Sequence, residues 1–130
     1  MAKLIEQPEQ IKTELKDKWL DYYEVNKNWL QSFMDKNNSW VVNVHYEGEL
    51  ENSKYKPRRP NSHFILGVVT TLEPQIKGLL VFSINLQTDA NQILKALDLD
   101  FDPEIELKKR LEKAKTAAED LDKIREEIKT

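Results

Sequence analysis

The sequence predicts a mostly α-helical single domain, and three observations carry that prediction. Apolar residues recur at spacings of three and four over most of the chain, only three glycines are present, and 33% of the residues are charged against 39% hydrophobic. Few glycines leave few tight turns for a β-sandwich, whereas one apolar stripe per element under a charged exterior suits packed helices. The 130 residues suffice for one core and fall short of two.

A long first helix is expected over about residues 8–36. Pro8 stands where a helix accepts proline most readily, its first turn, and Leu15, Trp19, Tyr22, Asn26, Trp29 and Phe33 follow at alternating four and three. A second row, Leu20, Tyr23, Leu30 and Met34, lies beside the first and makes a wide apolar face that is expected to be largely buried. Asn26 interrupts the first row, and a buried amide without partners costs about 1–3 kcal/mol, so it belongs at the wet edge of the face.

Asn37-Asn38-Ser39 ends the helix, after which Trp40, Val42, Val44 and Tyr46 alternate with Val41, Asn43 and His45 as in a strand. Glu47-Gly48 can turn the chain into a short return strand through Lys54-Tyr55, giving a small β-hairpin that needs other elements to pack on. From Glu47 to Pro60 the chain is polar and offers little to bury, so this stretch reads as a mobile, solvated loop.

Ser62 is the expected cap of an apolar helix through Phe64, Ile65, Leu66, Val68, Val69 and Leu72. Pro74 removes a backbone donor and disfavours helical geometry at Glu73, so the helix must break there before a second piece carrying Ile76, Leu79, Leu80, Phe82, Ile84 and Leu86. Glu73, Pro74 and Lys77 also exclude a membrane span, which needs about 20 nearly unbroken apolar residues. Thr88 or Asp89 then caps a short helix through Ile93, Leu94 and Leu97.

Asp102-Pro103-Glu104 has the cap, first-turn proline and acid of a helix start. Leu107, Leu111, Ala114, Ala118, Leu121, Ile124 and Ile128 form a narrow, coiled-coil-like stripe, and no Gly or Pro stops the helix before the end. Acids and bases are equal in number between 104 and 129, and pairs such as Glu104–Lys108, Glu106–Arg110 and Glu119–Lys123 run in the favourable direction. The chain therefore divides into a helical body, 1–104, and a C-terminal amphipathic helix, 105–130, that can project from it.

Chemistry-bearing patterns are few. The chain has no cysteine, which removes disulfides, thiolate zinc sites and thiol catalysis. A net charge of −3 gives no global attraction to nucleic acid. Its first residues reach polar and acidic positions too early for a secretory signal, so a cytoplasmic location is expected. The spacing of Asp98, Asp100, Asp102 and Glu104 hints at a calcium loop, but Pro103 and Lys109 stand where glycine and a bidentate glutamate are needed, and capping explains the run better. His45 and His63 lack ligand spacing, Glu73 reads as a helix end, and the aromatic residues of the first helix read as core. No catalytic residue, metal site or cofactor is expected.

The one local charge feature is Lys54-Tyr55-Lys56-Pro57-Arg58-Arg59, four bases in six residues with an aromatic among them. Such a segment can meet an acidic protein partner or, through phosphates and stacking, a nucleic acid; Glu47, Glu49 and Glu51 nearby disfavour the latter.

Three stretches, Leu15 to Tyr23 with Trp29-Leu30, Arg58 to Pro74, and Leu97 to Glu104, resemble a small cyanobacterial family of unknown function over about residues 10–110. The resemblance implies a protein inside a photosynthetic bacterium and carries over no activity and no site residues. The expected function is that of a non-enzymatic adaptor or assembly and regulatory factor, with nucleic-acid binding through 54–59 as the alternative. Its partner-binding residues would be Lys54, Tyr55, Lys56, Arg58 and Arg59 in the basic segment and Leu107, Leu111, Leu121, Ile124 and Ile128 on the last helix, which can also pair with its own copy.

Overall fold

The computed structural model describes residues 8–42, 44–46, 48, 50, 54–78, 80–81 and 89–129. In chain order these form α1 (Pro8–Lys36), β1 (Trp40–Val42), β2 (Arg58–Pro60), α2 (Ser62–Leu72), a 3-10 turn (Pro74–Ile76), α3 (Ala90–Ala96) and α4 (Pro103–Lys129). Lys77, Gly78, Leu80 and Val81 are also helical, and the expected continuation through Phe82, Ile84 and Leu86 lies outside the described residues.

The helix boundaries follow from local chemistry. α1 stops where Asn38 takes a left-handed conformation (φ 51°), letting the Ser39 N–H reach the Met34 carbonyl at 2.9 Å and Asn38 N–H the Asp35 carbonyl at 3.3 Å. Asp98 repeats the device after α3, with φ 59° and the Leu99 N–H on the Leu94 carbonyl at 2.9 Å. Asp89 caps α3 as expected, accepting from the Asn91 N–H at 2.9 Å. α2 is capped by Asn61, whose side chain accepts from the Phe64 N–H at 2.8 Å, and not by Ser62, which turns inward. The break at Pro74 occurs where proline chemistry puts it: Glu73 leaves helical geometry and a 3-10 turn follows.

Two further expectations are corrected. The apolar face of α1 is wider in sequence than in the fold: Ile11, Leu15, Trp19, Leu20, Tyr23, Leu30 and Met34 are buried, while Trp29 and Phe33 stand half-exposed. The first row drifts around a 29-residue helix, so after Trp19 the second row takes over the core. Asn26 sits at the edge as expected, donating to the Tyr22 carbonyl and accepting from the Trp29 indole, each at 2.9 Å.

The hairpin exists, but its return strand is Arg58–Pro60, inside the stretch read as a solvated loop, and not Lys54-Tyr55. It pairs antiparallel, Trp40 with Pro60, Val41 with Arg59 and Val42 with Arg58. The first strand ends at Val42, short of the alternation to Tyr46.

α1 is the spine of the core, against which Ile65 and Val69 of α2, Ile76, Leu80, Ile93 and Leu94 of α3, Leu97 and Leu99 are packed. Trp19 sits at its centre, ringed by Tyr22, Tyr23 and Phe64 with centroids 5.9 to 6.4 Å away.

Candidate protein-interaction surface

α4 begins on a built foundation. The buried Asp102 carboxylate accepts from the Glu104 and Ile105 N–H groups at 2.8 and 3.3 Å, which caps the helix, and Pro103 fills its first turn. Its other oxygen accepts from the Tyr55 hydroxyl at 2.5 Å and the Arg58 N–H at 2.8 Å. One side chain thus starts α4 and ties down the basic segment.

The first two turns are then fastened to α1. Glu104 accepts from the Gln31 amide at 2.7 Å and the Tyr23 hydroxyl at 3.1 Å, Glu106 meets Lys16 at 3.0 Å, and Arg110 reaches Asp21 at 2.6 Å and Asp17 at 3.4 Å. The expected pairing of Glu106 with Arg110 along the helix gives way to these partners on α1. Leu107 packs against the core.

Beyond Arg110 the helix leaves the body. Every residue from 111 to 129 is exposed, a stretch about 28 Å long at 1.5 Å per residue. Leu111 is 71% exposed, Leu121 49%, Ile124 51% and Ile128 79%. The stripe expected to meet a partner therefore divides at Arg110: Leu107 belongs to the body, and the other four stand in water.

The basic segment is not a patch. Arg59 is 1% exposed and is the largest charged group in the interior. Its Nε donates to Asp100 at 2.7 Å, Nη1 to the Pro60 carbonyl at 3.0 Å and to Ser62 Oγ at 3.2 Å, and Nη2 to Asn91 Oδ1 at 3.1 Å; Ser62 Oγ also bonds Asn91 Oδ1. Arg58 lies 4.0 Å over the Trp40 ring and 3.6 Å from Asp35. Tyr55 is half-buried against Asp102, leaving Lys54 and Lys56 exposed.

The basic and acidic runs of the sequence meet at two points, Arg59 on Asp100, and Tyr55 with the Arg58 N–H on Asp102. Besides Asp100 and Asp102, Asp98 meets Lys12 at 3.6 Å and Glu104 meets α1, so each acid of the 98–104 run has a structural role. Burial raises the Tyr55 hydroxyl above its ordinary range, and the hydrogen bond to Asp102 adds to the shift. Burial likewise raises Tyr23, with the Glu104 carboxylate contributing.

Other candidate groups stay apart. His45, in the segment after β1, and His63, on α2, are exposed, and Glu73 is buried against Lys18 Nζ at 2.7 Å, where it ends α2. Among the described residues no cluster of His, Asp and Glu is arranged to hold a metal ion, and no helix is long and apolar enough to cross a membrane. Sequence reasoning missed one surface feature, the half-exposed Trp29 and Phe33, whose rings meet edge-on at 6.4 Å with Phe64 beside Trp29 at the same distance. Placing them needed knowledge of which apolar row faces α2.

The chain belongs to a family of unknown function, DUF5331, whose model matches residues 5–128. The match takes in the 41–56 segment and nearly all of α4, a longer span than the 10–110 over which the resemblance was read. No protein with a curated description and no solved structure matches the chain.

Proposed function

We propose that this member of DUF5331 is a non-enzymatic adaptor or assembly factor that binds another protein, with the exposed half of α4 as its association element. The observation that carries the reading is residues 111–129, wholly exposed on a helix whose first turns are bolted to the body. Apolar side chains standing in water become favourable only when another surface covers them, at about 25 cal/mol per Å². An amphipathic helix gains most of its stability by packing its apolar face, and a second helix or a groove would supply that packing here. The charged groups beside the stripe keep the uncovered helix in solution and select the partner.

Lys54 and Lys56, exposed on the body, add a basic edge suited to an acidic protein surface. The nucleic-acid reading has less support, because Arg59 is internal and Arg58 is engaged by Trp40 and Asp35. Lys54 and Lys56, the exposed lysines of the segment, make a weak phosphate track.

The experiment is affinity capture with the full chain and with a triple variant, Leu121→Glu, Ile124→Glu and Ile128→Glu. The expected result is a defined set of proteins retained by the wild type and lost by the variant, with unchanged helical content. Capture of the same set by both would overturn the reading.

A further inference from the structure

We propose that a second copy of this chain covers the exposed half of α4, the two helices running antiparallel with Ala114 opposite the partner's Ile124 and Ala117 opposite the partner's Leu121. This rests on the reading of α4 as an association element and names its occupant.

The helix carries a strict seven-residue repeat. Leu107, Ala114, Leu121 and Ile128 are each seven apart, and Arg110, Ala117 and Ile124 interleave with them at the three-four spacing of a two-stranded seam. The first members, Leu107 and Arg110, already face α1, so the exposed residues continue an established helix–helix contact. The small residues, Ala114 and Ala117, lie near the body; the large ones, Leu121, Ile124 and Ile128, lie toward the tip.

That asymmetry selects the direction. In a parallel pair Ala114 and Ala117 would each meet their own copy and leave the inner half of the seam underfilled, at the cost that voids impose. Both bodies would also stand at one end, where α1 already occupies the seam face of each helix at Leu107 and Arg110. Antiparallel pairing sets Ala114 and Ala117, the two alanines of the seam, each against a large residue and carries the bodies to opposite ends.

Charge and length then choose the register. With Ala114 level with the partner's Ile124, Lys113 flanks the partner's Glu127 on both sides of the dyad, and Leu111 lies along the stem of the partner's Arg125. Asp120 meets its own copy at the centre, a like-charge contact set against two opposite-charge ones. Sliding the helices one repeat toward their tips would replace Lys113–Glu127 with Asp120 beside Glu127, acid on acid, twice. Sliding one repeat the other way would drive the tip into the partner's body. In the favoured register Ile128 ends level with the partner's Arg110, where α1 begins to cover the stripe.

The absence of native cysteine makes the test clean. Full-length Ala114→Cys and Ile124→Cys variants are oxidised separately and as a mixture, and solution mass is followed with concentration for the wild type. The expected result is a mass rising from monomer toward dimer and a disulfide-linked species that forms far faster in the mixture than in either variant alone. Linkage of each variant to itself at the rate of the mixture would overturn the antiparallel register. A wild-type mass that stays monomeric at every concentration would overturn the second copy as occupant, while helix-dependent capture of a different protein would leave the adaptor reading standing.

Discussion

Arg59 is the residue on which the body turns. It joins β2, the link before α4, and the start of α3, so its removal leaves Asp100, Ser62 and Asn91 without their shared donor. Breaking a buried pair from one side costs about 3–5 kcal/mol, and Asp100's partial exposure places Arg59→Ala near the lower figure. Arg58→Ala, at a half-buried stacked site, is expected to cost about 1 kcal/mol or less. Denaturant midpoints of the two variants check the contrast, and equal losses would contradict it. Nothing near Arg59 in the sequence announces its burial. Its carboxylate partner is 41 positions away, so a local reading sees only a basic run beside prolines.

Tyr55 and Tyr23 give a second residue-level prediction, on pH. Their hydroxyls are raised by burial in the fold, whereas in the unfolded chain they ionise near about 10. As pH climbs past that value the unfolded state loses protons that the folded state keeps, so stability present below it declines toward the folded values. Tyrosinate absorbance and helical circular dichroism, followed together into alkali, are expected to show a late tyrosine step that coincides with unfolding. Complete tyrosine ionisation in a still-helical protein would contradict this.

Among the elements, helix ends were the most legible, because their chemistry is local. Asp89, the Pro74 break and Asp102-Pro103 each act within one turn, and each stands where sequence reading put it, in a structure with a long first helix, a small hairpin and a long last helix. Burial of a face was less legible, since both rows of α1 are apolar and only the position of α2 decides between them. The return strand was hidden because Arg58-Arg59-Pro60 lacks apolar alternation, its inward member being an arginine matched by Asp100. Asp102 tests the local account. Asp102→Ala removes the cap of α4 and the acceptor for Tyr55 together, with an expected loss of about 2 kcal/mol or more, against a typical 1 for a cap alone. A loss confined to the cap value would mean that the basic segment is held by other contacts.

At the level of the whole molecule, a charge-bolted body carries a helix half, residues 111–129, whose apolar stripe is exposed among the described residues. Leu121→Glu, Ile124→Glu and Ile128→Glu are therefore expected to change the stability of dilute protein by no more than about 0.5 kcal/mol each, as for exposed sites generally. Core substitutions differ sharply: Trp19→Ala is expected to cost about 3–5 kcal/mol. The apolar stripe of the last helix is legible in the sequence, whereas the point at which it leaves the body, Arg110, emerged only from the pairs that Glu104, Glu106 and Arg110 make with α1.

Hydrogen exchange along α4, measured on the full chain at low and at high concentration, addresses association through this helix most directly. Slow exchange over 103–110 in both conditions, with 111–129 fast when dilute and slowed when concentrated, is the predicted result. Protection of 111–129 equal to that of 103–110 and independent of concentration would mean that the chain covers its own helix, and would contradict an association role for it.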